Sequence, residues 1–412
     1  HPGGGAPTTT IGATVGSQHT RGAAVSTAGP LDDTVRYAVD ANWLRSDGWR
    51  ENSDYETRDI RATLNADWNE RFSSSLSLFY NQAGYGMPGD LTRAQMRANP
   101  KQSDTPRDTF DSESWGLAFG HALLVGEEGR LALDFTASRR LTDSDNDYTA
   151  WGYWMYYSGT LDSFTLSPSY SDRYRIAGLD NRLTLGIDAR FDTLAMAYTY
   201  NPQIPLWGIS NKRFDLDRLS LAGYAENETF FSETLSLVLG GRADRIRNEP
   251  NVNNAGLRDV TSTESALSAA LLYRPTRQVK AFARAATLYH APFADEQVNI
   301  WGFPPAVVAL EPETGLSFEA GSVARLGERW EAGLTAFQLD LENEIVYNPV
   351  AFANQNYDDT RRRGIESSLS WTLPGTARLA AFYTFVEAEF DAGPNAGNDV
   401  PLVPRHLLTV NG

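Results

Sequence analysis

Hydrophobic and polar positions alternate along nearly the whole chain. From Phe337 to Tyr347 the odd positions (Phe337, Leu339, Leu341, Ile345, Tyr347) are apolar apart from Asn343, and the even ones (Gln338, Asp340, Glu342, Glu344) are polar. A period of two is the mark of a strand with one greasy and one wet face. After an Asn- and Asp-rich loop at 348–360, alternation resumes with Ile365, Leu369 and Trp371 against Glu366, Ser368 and Ser370. The two stretches therefore read as antiparallel strands joined by a polar loop. The same unit recurs upstream: Val35, Tyr37, Val39, Ala41 and Trp43 against Arg36, Asp40 and Asn42, then Ile60, Ala62, Leu64, Ala66 and Trp68 against Arg61, Thr63, Asn65 and Asp67. The cleanest strand sets Leu183, Leu185, Ile187, Ala189 and Phe191 opposite Arg182, Thr184, Asp188, Arg190 and Asp192. Counted this way there are about eighteen strands, joined alternately by short turns and long loops. The longest loop is expected at about 82–113, and a long aromatic loop is expected between strands at 131–138 and 164–174.

Long hairpins with short turns at one end and long polar loops at the other are what a membrane-spanning barrel requires. In hydrocarbon every backbone N–H and C=O must be paired within the protein, and a closed sheet does this without edges. The apolar face then meets lipid and the charged face lines a wide interior. Aromatic residues near predicted strand ends (Trp43, Trp68, Tyr80, Trp115, Tyr273 and Trp371) suit interfacial girdles. Soluble propellers and sandwiches also alternate, but their inward faces carry large apolar groups. Here the polar face repeatedly carries Arg, Asp and Glu, which a dry core would not tolerate. The expected fold is all-β, a transmembrane antiparallel β-barrel.

Composition narrows the class further. The 412 residues include 36 Lys plus Arg and 52 Asp plus Glu, for a net charge of −16, and no Cys. A disulfide scaffold and a thiolate metal site are thereby excluded, and the acidic balance argues against a nucleic-acid partner. No apolar run is long enough for a transmembrane helix. The period persists without a linker or hinge, so residues 1–412 are expected to form one sheet. The chain opens on His1 with neither Met nor a signal peptide, as a mature, processed or partial sequence does.

Candidate chemistry concentrates in the predicted loops. Trp151, Tyr153, Trp154, Tyr156 and Tyr157 place five aromatics in seven residues at the top of a hairpin. Such density calls for a ligand, mutual packing or a membrane interface. Trp207, Trp301 and Phe303 lie in loops on the same side and are candidates for the same vestibule. Arg93, Arg97, Lys101 and Arg107 make the longest loop basic against an acidic background, attractive to an anionic ligand or simply solvated. The run from Asp143 to Asp147 opens like a calcium loop, but Tyr148 stands where Gly is required and Trp154 where the closing Glu belongs. The five His are scattered without ligand spacing, and neither phosphate-binding loops nor nucleophile elbows occur. No catalytic residue, cofactor or metal site is assigned.

Several segments resemble the TonB-dependent outer-membrane receptors. The run from Ser46 to Asn52 (Asp47, Gly48, Trp49, Arg50, Glu51 between) resembles their second external loop. His290 to Glu296, Leu310 to Thr314 and Phe318 to Gly321 are similar to their late-barrel signature, as are Leu334 to Phe337, Asn343 to Ile345 and Arg363 to Glu366. Val403 to Leu408 is similar to a strand about four from the end. Two features depart from the family: it has a plug domain ahead of a 22-strand barrel, and that barrel tends to end on an aromatic where this sequence has Gly412. The resemblance implies the barrel portion of such a receptor, with the plug and the last strands lying outside the sequence. It also implies TonB-energised uptake of a ferric siderophore or similar scarce chelate across a Gram-negative outer membrane, with TonB reached through the plug and lipid and lipopolysaccharide around the wall. A passive porin, usually closed by 16 or 18 strands, and a barrel enzyme are the alternatives.

Overall fold

The structure is a computed structural model that describes residues 6–203, 210–300, 305–348, 353–373, 375 and 377–412. Its first strands are β1 (Thr8–Val15), β2 (Arg21–Pro30), β3 (Val35–Ser46), β4 (Tyr55–Asn69), β5 (Phe72–Gly86), β6 (Thr109–Val125), β7 (Gly129–Tyr148) and β8 (Tyr153–Ile176). Next come β9 (Leu179–Asn201), β10 (Lys212–Phe230), β11 (Leu235–Val252), the short β12 (Ala255–Gly256), β13 (Val260–Tyr273) and β14 (Val279–His290). The chain closes with β15 (Val298–Asn299), β16 (Ala306–Val307), β17 (Glu313–Leu326), β18 (Trp330–Glu342), β19 (Ile345–Asn348), β20 (Ala353–Asn356), β21 (Thr360–Thr372), β22 (Arg378–Phe390) and β23 (His406–Asn411). Two short helices, α1 (Arg93–Ala98) and α2 (Ala294–Gln297), sit in loops. Nineteen strands form one antiparallel sheet in which each long strand pairs with its nearest long neighbours along the chain, while β15–β16 and β19–β20 are two separate two-stranded ribbons in the loops. The all-β transmembrane barrel expected from the alternation is the architecture observed. Among the described residues β1 and β23 are not paired with each other, and both are exposed along their whole length.

Turn chemistry explains why one end of the sheet is trim. The Asp32 carboxylate accepts the amides of Thr34 and Val35, Asn69 those of Arg71 and Phe72, Ser232 those of Thr234 and Leu235, and Thr276 those of Gln278 and Val279. Each side chain closes a tight turn by supplying the acceptor that the reversing backbone lacks. At the opposite end the connections 87–108, 291–312 and 343–359 are long.

Register fixes which face looks out. Ile60 stands opposite Tyr80, and Tyr80 opposite Trp115. One row nearer the turns, Leu78 meets Leu117, and Leu76 meets Phe119. This face carries exposed Ile60, Leu64, Leu78, Phe119, Phe164, Leu166, Ile187 and Leu221, a continuous apolar surface that water would not tolerate and lipid does. It is bounded on the turn side by exposed Trp68 and Tyr273 and by Trp330 stacked on Trp371 (centroids 5.1 Å, planes 3° apart). On the loop side it ends at Trp43, Tyr80 and Trp115. Between Ile60 and Trp68 the strand runs roughly 26 Å at ~3.3 Å per residue, a rise of about 20 Å at a tilt of ~40°, most of a hydrocarbon band.

The strands do not stop there. β8 has 24 residues, more than twice the ~10 that a tilted strand needs to cross hydrocarbon. Beyond the apolar rows the outer face turns to ion pairs, Arg58 with Glu56 (2.7 Å), Arg139 with Asp162 (2.6 Å), Arg213 with Asp215 (2.8 Å) and Arg361 with Asp340 (2.6 Å). The inner face carries paired charge along much of its length. There Arg242 bridges Asp188 (2.6 Å) and Asp244 (2.7 Å), and Arg182 pairs with buried Glu228 (2.6 Å), which also accepts the Ser236 hydroxyl.

Two expectations are corrected. The aromatic segment between 138 and 164 is no loop: β7 and β8 continue through it in register to Tyr148 opposite Tyr153, leaving only 149–152 to turn the chain. Above the membrane both faces are wet, so the binary pattern that marks a strand fades there. On β18 the lipid-facing positions are the even ones, exposed Trp330 and Leu334, and Phe337, Leu339 and Leu341 face inward. Gly315 and Gly364 stand opposite Leu341 and Phe337 on that same face, where an added Cβ would strike those side chains. Elsewhere on the inner surface, near the loops, the wall packs against folded-in loop residues. A small core lies there: Phe214, Leu216 and Val252 from the wall, Val298 and Ile300 from loop 291–312, with Leu194, Met196, Tyr198 and Leu257 around them.

Candidate functional site

The loop-side mouth is a built structure. The connection 47–54 acts as its bracket. The Arg50 guanidinium donates to the carbonyls of Pro88 (3.0 Å), Gly89 (2.8 Å) and Gln102 (3.0 and 3.2 Å). Asn52 Nδ2 donates to the carbonyls of Met87, Thr105 and Asp108, between 2.7 and 3.1 Å. Two side chains thus donate to six loop carbonyls, cross-linking an irregular segment that has no strand ladder of its own.

Loop 87–108 delivers Arg107 to the β7–β8 hairpin. Arg107 pairs with the Asp147 carboxylate, and its guanidinium carbon lies 4.6 Å from the centre of the Trp154 ring, a cation–π stack. Beside it Asp108 is buried, its Oδ1 accepting the Asp147 amide at 2.7 Å. Burial, aided by the neighbouring Asp147 carboxylate, holds the Asp108 carboxyl above its ordinary range.

The aromatic cluster divides by strand parity. Trp154 and Tyr156 share the outward face of Phe164 and Leu166, and the Tyr156 hydroxyl donates to Asp143, a hydrogen bond that pushes the phenol up to about 12. Tyr153 and Tyr157 face inward. Tyr153 stacks on Tyr148 (5.1 Å) and touches Tyr200 (5.6 Å), and Tyr157 lies against Tyr198 (5.1 Å). The inner wall here is a panel of five tyrosines contributed by β7, β8 and β9. Burial, with the other phenols close by, pushes the Tyr200 hydroxyl far up, and burial lowers the Lys212 ammonium nearby. Such a panel offers flat apolar faces with hydroxyl donors, suited to stacking and hydrogen-bonding an organic ligand and unsuited to breaking bonds.

The other candidates part company. Arg93 and Arg97 sit on α1, exposed, with no ion pair among the described residues. The side chain of Trp151, and Trp207, Trp301 and Phe303 altogether, lie outside the described residues. Asp143, Asp145 and Asp147 all lie within β7 as extended strand, paired residue by residue with β8, so they do not curl around an ion. Sequence reading missed Tyr148, Tyr198, Tyr200 and the bracket role of Arg50 and Asn52. For the tyrosines the signal is the strand register, which sets Tyr148 opposite Tyr153 and Tyr198 opposite Tyr157, with Tyr200 beside them on the same face.

A second cluster lies where loop 291–312 leaves the wall. His290 ends β14, with Nδ1 3.0 Å from Glu313 Oε2 and Nε2 3.8 Å from Glu296 Oε2. Glu313 Oε1 accepts the Ile345 amide at 2.5 Å, Glu296 Oε2 accepts the Phe293 amide at 2.6 Å, and the Asn354 amide group donates to the Glu296 carbonyl at 3.2 Å. A pocket of about 190 Å³ opens beside them, lined by Met196, Tyr198, Phe214, Val298, Ile300 and Tyr347 among others.

Comparison with known proteins agrees with this fold. The unliganded ferric citrate transporter FecA superposes with a TM-score of 0.81 at 18% identity, over 98% of this chain and 62% of that one. The ferric yersiniabactin uptake receptor FyuA of Yersinia pestis gives a TM-score of 0.80 at 11% identity, over 98% and 65%. An iron-regulated outer membrane virulence protein of Vibrio cholerae serotype O1 is 26% identical over 251 residues, 56% of this chain. The match spans only 36% of that relative's length. The wall is that of a protein of the Gram-negative outer membrane. Since the model of the TonB-dependent receptor-like β-barrel matches residues 4–412, the chain belongs to that family.

Proposed function

We propose that residues 1–412 form the barrel domain of a receptor that captures a ferric siderophore or similar iron chelate at its mouth and imports it with energy from TonB, delivered through a plug that the wall surrounds. No bond is made or broken in this reading, and the protein is not an enzyme. The observation that carries it is the inward tyrosine panel of Tyr148, Tyr153, Tyr157, Tyr198 and Tyr200, rigidly mounted on three paired strands at the mouth. Rigid aromatic faces bind planar organic ligands at low entropic cost. The relatives named for ferric citrate, ferric yersiniabactin and iron regulation support iron chelates as the cargo class. Arg107 with the Trp154 it stacks on, Arg93, Arg97 and the remaining candidate aromatics Trp151, Tyr156, Trp207, Trp301 and Phe303 are proposed as the outer approach, where cations draw in an anionic chelate. The loop core built on Val298 and Ile300 fills part of the mouth, which favours a gated receptor over an open porin.

The test is ligand binding by the whole receptor purified from iron-limited cells. Replacing Tyr153, Tyr157 and Tyr198 together by Ala should weaken binding of the cognate chelate by about 1–3 kcal/mol, roughly 5- to 150-fold, with the fold preserved. Unchanged affinity would remove the panel from the site, and failure of a panel of citrate, hydroxamate, catecholate and phenolate ferric chelates to bind the unmodified receptor would remove the cargo class.

A further inference from the structure

His290 joins three elements at the mouth. It ends β14, its Nδ1 meets Glu313 on β17 at 3.0 Å, and its Nε2 faces Glu296 on α2 at 3.8 Å. An ionised carboxylate only accepts, so Nδ1 holds the proton of the neutral ring and Nε2 presents a bare lone pair. That atom is inaccessible to solvent and without a hydrogen-bond partner among the described residues. A buried acceptor aimed at an anion is an unsatisfied arrangement in which both partners lack a proton.

Each carboxylate holds a different part of the mouth. Glu296 caps α2 through the Phe293 amide, and Glu313 receives the Ile345 amide at the start of β19. The Phe293 ring lies 4.9 Å from the imidazole, with Arg218 on β10 behind it at 5.5 Å. Among the described residues, Glu296 on α2, Glu313 on β17 and, across Phe293, Arg218 on β10 are the charged groups that face His290. Two anions lie at its nitrogens and one cation stands off beyond a ring.

We propose that His290 is a proton-operated latch that clamps α2 and β19 to the ends of β14 and β17. Protonation places a donor on Nε2, the imidazolium then bridges Glu296 and Glu313, and the two loop anchors become one charge-assisted network. Deprotonation restores the unpartnered nitrogen and frees α2 to move away from the wall. The latch closes on the acid side and opens on the alkaline side. It depends only on the geometry of the two anchors and holds whatever the barrel carries.

The experiment is amide hydrogen exchange on the whole protein in outer-membrane vesicles at pH 5.5 and 7.5, corrected for intrinsic exchange. Protection of the amides at 293–297 and 345–348 should rise about tenfold at the lower pH, as expected for one added charged hydrogen bond, while β9 stays unchanged as the reference. His290→Gln should abolish the step, and Glu296→Gln, which keeps an acceptor for Phe293 but not the charge, should shrink it. A step that survives in His290→Gln, or no step in the unmodified protein with β9 protected, overturns the latch.

Discussion

At the scale of single residues, the mouth shows how one side chain governs a long segment. Asp108 is the clearest case. Its carboxyl is held above the ordinary range by burial, so in the pH window between the ordinary value and the raised one the folded loop binds more protons than the unfolded chain. Loop stability therefore falls as pH rises through that window and stays reduced at neutrality. Asp108→Asn retains the oxygen that accepts the Asp147 amide and removes the charge. Protection factors across 87–108 should be higher in this variant than in the unmodified protein at pH 7 and equal in both near pH 3; equal values at pH 7 would refute the burial argument. Single residues were also where reading from sequence was weakest. Five crowded aromatics were visible at once, but only register separates inward Tyr153 and Tyr157 from outward Trp154 and Tyr156. Likewise the long loop was visibly basic, yet nothing in its composition distinguishes Arg107, which reaches Trp154, from Arg93 and Arg97, which do not.

Among elements, the strands were legible where the membrane imposes its period and obscure where it does not. From Arg182 to Asp192 on β9 the alternation is complete because one face meets lipid and the other water. Between 139 and 163 it lapses, since both faces of β7 and β8 are solvated, and a hairpin passes for a loop. On β18 the period was plain but its phase was not: apolar residues stand on both faces there, and only register with the neighbouring strands tells which series is the outer one. The distinction predicts unequal tolerance along one hairpin. Ile187→Arg, in the middle of the apolar band and 57% exposed, should destabilise the barrel by about 2–4 kcal/mol in lipid. Asp217→Arg, on the same face of β10 above the band, should change stability by less than about 0.5 kcal/mol. Urea unfolding in liposomes measures both, and a comparable loss at the two positions would mean that the band is misplaced.

For the whole molecule, parity is the organising quantity. The outer surface is apolar across the membrane band and carries ion pairs beyond it, and the inner surface carries paired charge. Cysteines placed at Leu239 and Tyr224, neighbours in the wall on opposite faces, should divide accordingly. A lipid-soluble maleimide should label Leu239→Cys and a charged, membrane-impermeant one Tyr224→Cys; the reverse pattern would turn the barrel inside out. At this scale the sequence was most informative, because a period repeated over some eighteen strands averages away local exceptions.

The side-chain-closed turns and the nearest-neighbour order of the long strands make the hairpin, not the strand, the unit of inheritance. Gene duplication or loss of one hairpin would widen or narrow the wall by two strands and leave every later loop on its own side of the membrane. Gain or loss of a single strand would carry all subsequent loops, with the tyrosine panel and the His290 cluster among them, to the wrong compartment. Change in barrel size within such a lineage is therefore expected to proceed in steps of two, with receptor surfaces free to diversify on one rim while the opposite rim keeps its Asp, Asn, Ser and Thr stitches.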